Sequence, residues 1–255
     1  MGHRIVISKI LHRRSVKRWS RAARGSSRAP LTALRQQATQ ASQLRHHLNS
    51  FLFEAENRLA LPAIGSNSFV RPKSADWAWR PSLWRGPLPE AGLVAVESQT
   101  PLGSEATIFH DCRISELTFR QLRNRREADL APFGVRMDVF RFDGSFLSIA
   151  IDLPEAAVHG LKKRHLIRMN TIIETEKPLE IFARLNLRHG PNTEQIVREL
   201  PLFEDDVWVE FDLAYTKLNE KRADKMWVDL IFEGPEMNQV IIRDVTFSRV
   251  PRAEL

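Results

Sequence analysis

From residue 92 onward the apolar positions recur at every second residue. Leu179, Ile181, Ala183, Leu185 and Leu187 fall on one side of an extended chain, with Glu180, Phe182, Arg184, Asn186 and Arg188 on the other. Val207, Val209, Phe211, Leu213 and Tyr215 alternate in the same way with Trp208, Glu210 and Asp212. Met226, Val228, Leu230 and Phe232 alternate with Trp227 and Asp229. Strands are expected at 93–96, 106–109, 134–142, 146–153, 165–175, 179–188, 195–200, 207–215, 225–232 and 240–249, separated by turn formers such as FDGS, RHGPN and EGPEMN. Strands this short and this regularly spaced predict a mainly β protein, an antiparallel β-sandwich of jelly-roll type. Residues 115–132, rich in arginine, break the alternation and read as a helix or polar excursion ending at Pro132. Residues 154–161 read as one helical turn.

Ahead of residue 92 the pattern is different. Between Pro30 and Pro62 the apolar residues Leu34, Ala38, Ala41, Leu44, Leu48, Phe51 or Leu52, Ala55 and Leu59 step by threes and fours, which predicts a long helix with one apolar face. That face calls for either the protein's own sheet or a partner helix. Residues 1–29 form a basic arm, expected to be partly disordered or an interfacial helix. Residues 63–91 are irregular and hold Trp77, Trp79 and Trp84, which are expected to pin the segment across the body. The organisation expected is therefore arm 1–29, helix 30–62 and sandwich 63–255, the last with this Trp- and Pro-rich lead segment.

The chain has 255 residues, 43% of them hydrophobic, enough for one sizeable core. A single cysteine, Cys112, excludes an internal disulfide and a multi-cysteine zinc site. No apolar run approaches the roughly 18 residues of a membrane span, and the apolar stretch at the start is short for a secretory signal. A cytoplasmic location is expected, with the inner membrane surface open to the arm.

Charge is unevenly placed. No Asp or Glu precedes Glu54, while the first 53 positions hold eleven of the 38 Lys and Arg. That leaves 27 basic against 31 acidic residues elsewhere, a net charge of −4. The body is therefore not expected to bind nucleic acid. Arg13, Arg14, Lys17, Arg18, Trp19 and Arg21 are the candidate set for an anionic membrane surface or an acidic protein.

Motifs for chemistry are missing. The sequence contains no Walker loop, G-x-G-x-x-G, G-x-S-x-G elbow or H-E-x-x-H, and its eight histidines do not cluster at metal spacing. No cofactor, metal or catalytic residue is expected. In FHDCR, His110 and Cys112 share one side of a strand, but neighbours two apart seldom reach each other, so packing is the expected role. The outward rows are more suggestive. Phe182, Arg184, Asn186, Arg188, Trp208, Glu210, Trp227 and Asp229 mix aromatics with hydrogen-bonding groups, the combination that stacks on and grips a sugar. The first reading is a non-catalytic binding module for a glycan or similar polar ligand. The alternative is a scaffold tethered by its arm to an anionic membrane or acidic partner, with the aromatic face covered. Oligomeric state is left open.

The runs ADWAWRPSLWRGPL, FRFDGSFLSIAIDLPEAA, PLEIFARLNLRHGPNTEQIVRELPL, FDLAYTKLNEKR and DLIFEGPEMNQVIIRDVTFSRVPRAEL resemble an uncharacterised alphaproteobacterial family, a domain of unknown function. The resemblance covers about residues 60–255 and the general plan of a basic helical lead. It implies a bacterial source and carries no activity, cofactor or site residue. More loosely, the strand pattern is similar to galactose-binding-like and carbohydrate-binding jelly-roll sandwiches.

Overall fold

The computed structural model describes residues 2–63, 69–126, 128–201 and 206–252. The chain falls into two compact units, residues 1–55 and 56–255.

The first unit is helical. Helix α1 spans Gly2–Gly25, a 3-10 turn follows at Ser26–Arg28, and α2 spans Leu31–Ala63, running on past the unit's end. Residues 2–25 of the arm, for which partial disorder or an interfacial helix is expected, are α-helical. Nothing from His3 to Arg24 is Gly or Pro, and Leu, Ala, Lys and Arg are good helix formers. Pro30 lies just before the first turn of α2, where its missing N–H is no loss, and its carbonyl accepts from Leu34 N at 2.9 Å. Arg18 Nη2 donates to Gln40 Oε1 at 2.9 Å, so the chain reverses between the helices. In the first turns of α2, Ala33, Leu34, Gln37 and Ala41 are half-buried.

The second unit is an antiparallel sandwich of jelly-roll type. Its strands are β1 (Trp77–Trp79), β2 (Gly92–Val94), β3 (Thr100–Leu102), β4 (Ala106–His110), β5 (Leu117–Arg123), β6 (Phe133–Val139) and β7 (Leu147–Asp152). They continue as β8 (His165–Thr175), β9 (Ile181–His189), β10 (Asn192–Glu199), β11 (Asp206–Asp212), β12 (Ala223–Phe232) and β13 (Asn238–Pro251). Short helices α3 (Ser82–Arg85) and α4 (Glu155–Val158) interrupt them, α4 at the expected helical turn. The first sheet runs β11-β8-β13-β6-β5-β2, and β1 also pairs with β13. The second runs β10-β9-β12-β7-β4-β3.

The inward parity read from sequence fills the space between the sheets. Leu185, Leu187, Phe211, Met226, Val228, Leu230 and Phe232 are all sealed from solvent. Tyr215 departs from that reading. Its strand stops at Asp212, whose side chain accepts from Ala214 N, and a 3-10 turn at Leu213–Tyr215 swings the ring outward to 83% exposure.

Residues 117–123 also depart: they form a strand where a helix or polar excursion was expected. Leu117, Phe119 and Gln121 face inward there. The polar member disguised the period, and its burial has a reason. Gln121 Nε2 donates to the Leu83 and Gly86 carbonyls, each at 2.8 Å, while its Oε1 accepts from Leu88 N at 2.7 Å. One buried amide thus ties the α3 segment to β5, with its hydrogen-bonding groups satisfied.

Candidate functional site

Register lays out the outer face of the second sheet row by row. One row reads Gln195, Asn186, Trp227, Asp152 across β10, β9, β12 and β7. The next reads Val197, Arg184, Asp229, Ala150, Thr107 and reaches β4. The third reads Glu199, Phe182, Ile231, Ser148, Phe109. At the middle of the sheet the side chains are small: Ala150, Ser148 and Thr107. To one side stand Trp227, Arg184 and Asp229; to the other, Phe109 and Phe146. Small residues flanked by large ones make a groove of about 710 Å³, closed beyond Asn186 by Gln195.

Its polar side chains hold one another. Asp229 Oδ2 accepts from Arg184 Nε at 3.0 Å, Arg184 Nη2 at 2.9 Å and Asn186 Nδ2 at 2.8 Å. Asn186 Oδ1 accepts from Gln195 Nε2 at 2.8 Å. Lys225 Nζ sits 2.9 Å from Asp152 and 5.5 Å from the Trp227 ring centre, a cation–π distance. Groups fixed this way are oriented before any ligand arrives, and a ligand then meets less ordering cost.

Of the eight candidate positions, Arg184, Asn186, Trp227 and Asp229 line this groove. Phe182 lies one row along the same face, half-buried beside Ile231. Arg188 is off to the other end, paired with Asp224 at 3.0 Å; its hydrogen bond holds the Asp224 carboxyl below the usual aspartate range. Trp208 and Glu210 do not share the face. They are on β11, an edge of the first sheet, where Arg168 stacks 4.4 Å over Trp208 and reaches Glu210 at 2.7 Å. Alternation fixes which side of its strand a residue occupies, and both sheets produce the same alternation. Sequence reading passed over Thr107, Phe109, Ser148, Ala150, Asp152 and Gln195. Ser148 and Asp152, polar residues that interrupt the apolar run 146–153, were the available signal.

His110 and Cys112 pack, and other polar residues outside the groove hold the fold. His110 Nε2 lies 2.8 Å from the Val96 carbonyl, and its Nδ1 accepts from Cys112 N. Burial pushes the Cys112 thiol up, away from the thiolate that a nucleophile needs. Arg243 fills a bulge in β13 between Ile242 and Asp244 and pairs with Glu174. Asp244 is buried and takes Arg80 Nε at 2.9 Å and Nη2 at 2.7 Å. A second groove of about 730 Å³ lies beside edge strands β2 and β3, among Leu88, Pro89, Leu93, Pro101 and Leu102. The Ser82 hydroxyl there is already bound to Glu105.

The fold and groove define a jelly-roll β-sandwich with one built-up outer face. A family model described as a family of unknown function (DUF6478) matches residues 1–255, and the chain belongs to that family. No curated protein matches it. Among solved structures it is similar to the family 11 carbohydrate-binding module from Clostridium thermocellum in complex with a β-1,3-1,4-mixed-linked tetrasaccharide. Identity is 9% and TM-score 0.40, covering 65% of this chain and 99% of that one. It is also similar to the CBM22-1 xylan-binding domain from Paenibacillus barcinonensis Xyn10C, at 8% identity and TM-score 0.37, covering 64% and 94%. With the enzymatically active domain of bacteriophage CBA120 tailspike protein 4, identity is 7% and TM-score 0.44; the match covers 58% of this chain and spans 20% of that one.

Proposed function

We propose that the sandwich is a non-catalytic binding module that holds a glycan, or a polar ligand of that kind, in the groove of the second sheet. One observation carries the reading: a floor of small side chains is flanked by an aromatic ring and by a polar network already satisfied within itself. Sugar rings offer C–H groups on their faces and hydroxyls on their rims. The faces stack on flat aromatics, and the hydroxyls exchange hydrogen bonds with Arg, Asn, Gln and carboxylates. Trp227 supplies the platform; Arg184, Asn186, Asp229 and Gln195 supply the partners. The charges lining the groove cancel, Arg184 with Asp229 and Lys225 with Asp152, which favours an uncharged chain over a uronic or sulfated one.

The test is retention of the full chain on a glycan array, then affinity electrophoresis in any polysaccharide that scores. Trp227→Ala is expected to weaken retention by more than about tenfold, the scale of one lost aromatic contact of ~1.5 kcal/mol. Its ring is half-buried, so the fold should lose less than the roughly 3–5 kcal/mol of a sealed tryptophan. Trp208→Ala, on the other sheet, should leave retention unchanged. No retention across a broad array, or unfolding of Trp227→Ala, overturns the reading.

A further inference from the structure

We infer that the N-terminal helical unit docks on an anionic lipid surface. Two independent features meet there. The first is charge. With no carboxylate before Glu54, the eleven basic residues of positions 1–53 have no acidic partner among those positions. Arg13, Arg14, Lys17, Arg18, Arg21 and Arg24 stand exposed on α1, and the hydrogen bond that Arg18 makes to Gln40 is to a neutral group.

The second feature is apolar. Along α2, Leu44, Leu48, Phe51 and Leu52 are all exposed, Phe51 by 68%. At about 100° per residue these four positions fall within one arc about 100° wide. Val16 is exposed on α1, and Trp19, of the residue type enriched at membrane interfaces, is half-buried beneath Arg18. Nucleic acid would use the cations and leave a Leu–Phe row in water. A bilayer uses both: headgroup phosphates take the cations, and the acyl boundary takes the apolar row. Among the described residues no helix is long and apolar enough to cross a membrane, so the mode that fits is lying on the surface.

The test is co-sedimentation of the full chain with vesicles of phosphatidylglycerol and phosphatidylcholine, beside vesicles of phosphatidylcholine alone. Binding is expected to the first only, and to weaken as salt rises. Arg13→Gln, Arg14→Gln, Lys17→Gln and Arg21→Gln together should weaken it by about fivefold per residue removed. The charge-keeping set Arg13→Lys, Arg14→Lys and Arg21→Lys should bind as the unaltered chain does. Leu48→Gln with Phe51→Gln should lower the binding that survives high salt. Four results each overturn the inference: no vesicle binding; equal binding to both vesicle types; a Gln set that binds undiminished; or tight salt-dependent binding to duplex DNA with none to vesicles.

Discussion

Asp229→Leu separates the binding role proposed for the groove from its part in holding the sandwich together. The Asp229 side chain is 9% exposed, and its Oδ2 accepts three hydrogen bonds, two from Arg184 and one from Asn186. Losing them has unequal consequences. The Arg184 side chain is 38% exposed, so the released guanidinium turns to water. Ion pairs with that much solvent contribute only about 0–1 kcal/mol. Asn186 is sealed, but its Nδ2 keeps the Arg184 carbonyl at 3.1 Å, so its loss sits at the low end of the roughly 1–3 kcal/mol for an unmet buried group. Replacing the carboxylate also removes its desolvation penalty. The net is a destabilisation of about 1–2 kcal/mol, small against a typical ~5–15 kcal/mol. In urea that is a midpoint shift of roughly 1 M or less. Ligand retention should fall at least about tenfold, since a hydrogen bond to a charged group is worth about 1.5–3 kcal/mol. Urea denaturation and affinity electrophoresis on the same sample decide it. A loss above about 4 kcal/mol would make Asp229 a structural keystone, and unchanged retention in a folded variant would remove it from the site.

Arg80→Met should cost about 3–5 kcal/mol, because it strands the buried Asp244 carboxylate. Burial already holds Asp244 above its usual pKa against the pull of Arg80, so the folded state favours its proton, and the deficit should shrink as pH falls toward that raised value; a deficit that grows on acidification contradicts the pairing. Cys112 should alkylate more slowly at neutral pH than an exposed thiol and gain rate as pH rises past the ordinary thiol range, because burial raises its pKa; fast alkylation near pH 7 would refute the packed reading of FHDCR.

Much of the fold was legible because the sandwich buries one side of most strands. β9, β11 and β12 show the parity that their side chains alone imply, since exposing Val209 or Val228 would forfeit about 1.5–3 kcal/mol each. Legibility failed where a polar residue is buried with its own partners. Gln121 faces the core and hid a strand. The strand expected at 240–249 is present as β13, but its parity beyond the bulge is masked: Asp244, Thr246, Ser248 and Arg249 are all buried, so both sides look alike there. Arg249 can be sealed because Asp76 and the Ala157 and His159 carbonyls accept hydrogen bonds from its guanidinium. Such partners are distant in sequence, and alternation carries no trace of them.

The candidate site was half legible for a related reason. Parity names a face, while pairing names the sheet, and pairing is set by long-range contacts. β10 and β11 are consecutive, yet β10 forms an edge of the second sheet and β11 an edge of the first. Trp208 and Trp227 thus read alike and lie on different sheets. Pairing also bears on whether the aromatic row is covered. The Trp- and Pro-rich lead is engaged along β13 of the first sheet. Trp79 stacks on Phe247 at 6.1 Å, Trp84 Nε1 donates to the Ile242 carbonyl at 3.0 Å, and Arg80 clamps Asp244. None of the described residues of that lead lines the groove on the second sheet. With those tryptophans occupied on β13, half-buried Trp227 borders a trough floored by Ala150 and Thr107. A ring sealed for stability would be wrapped by larger side chains. Small neighbours are what room for a ligand requires.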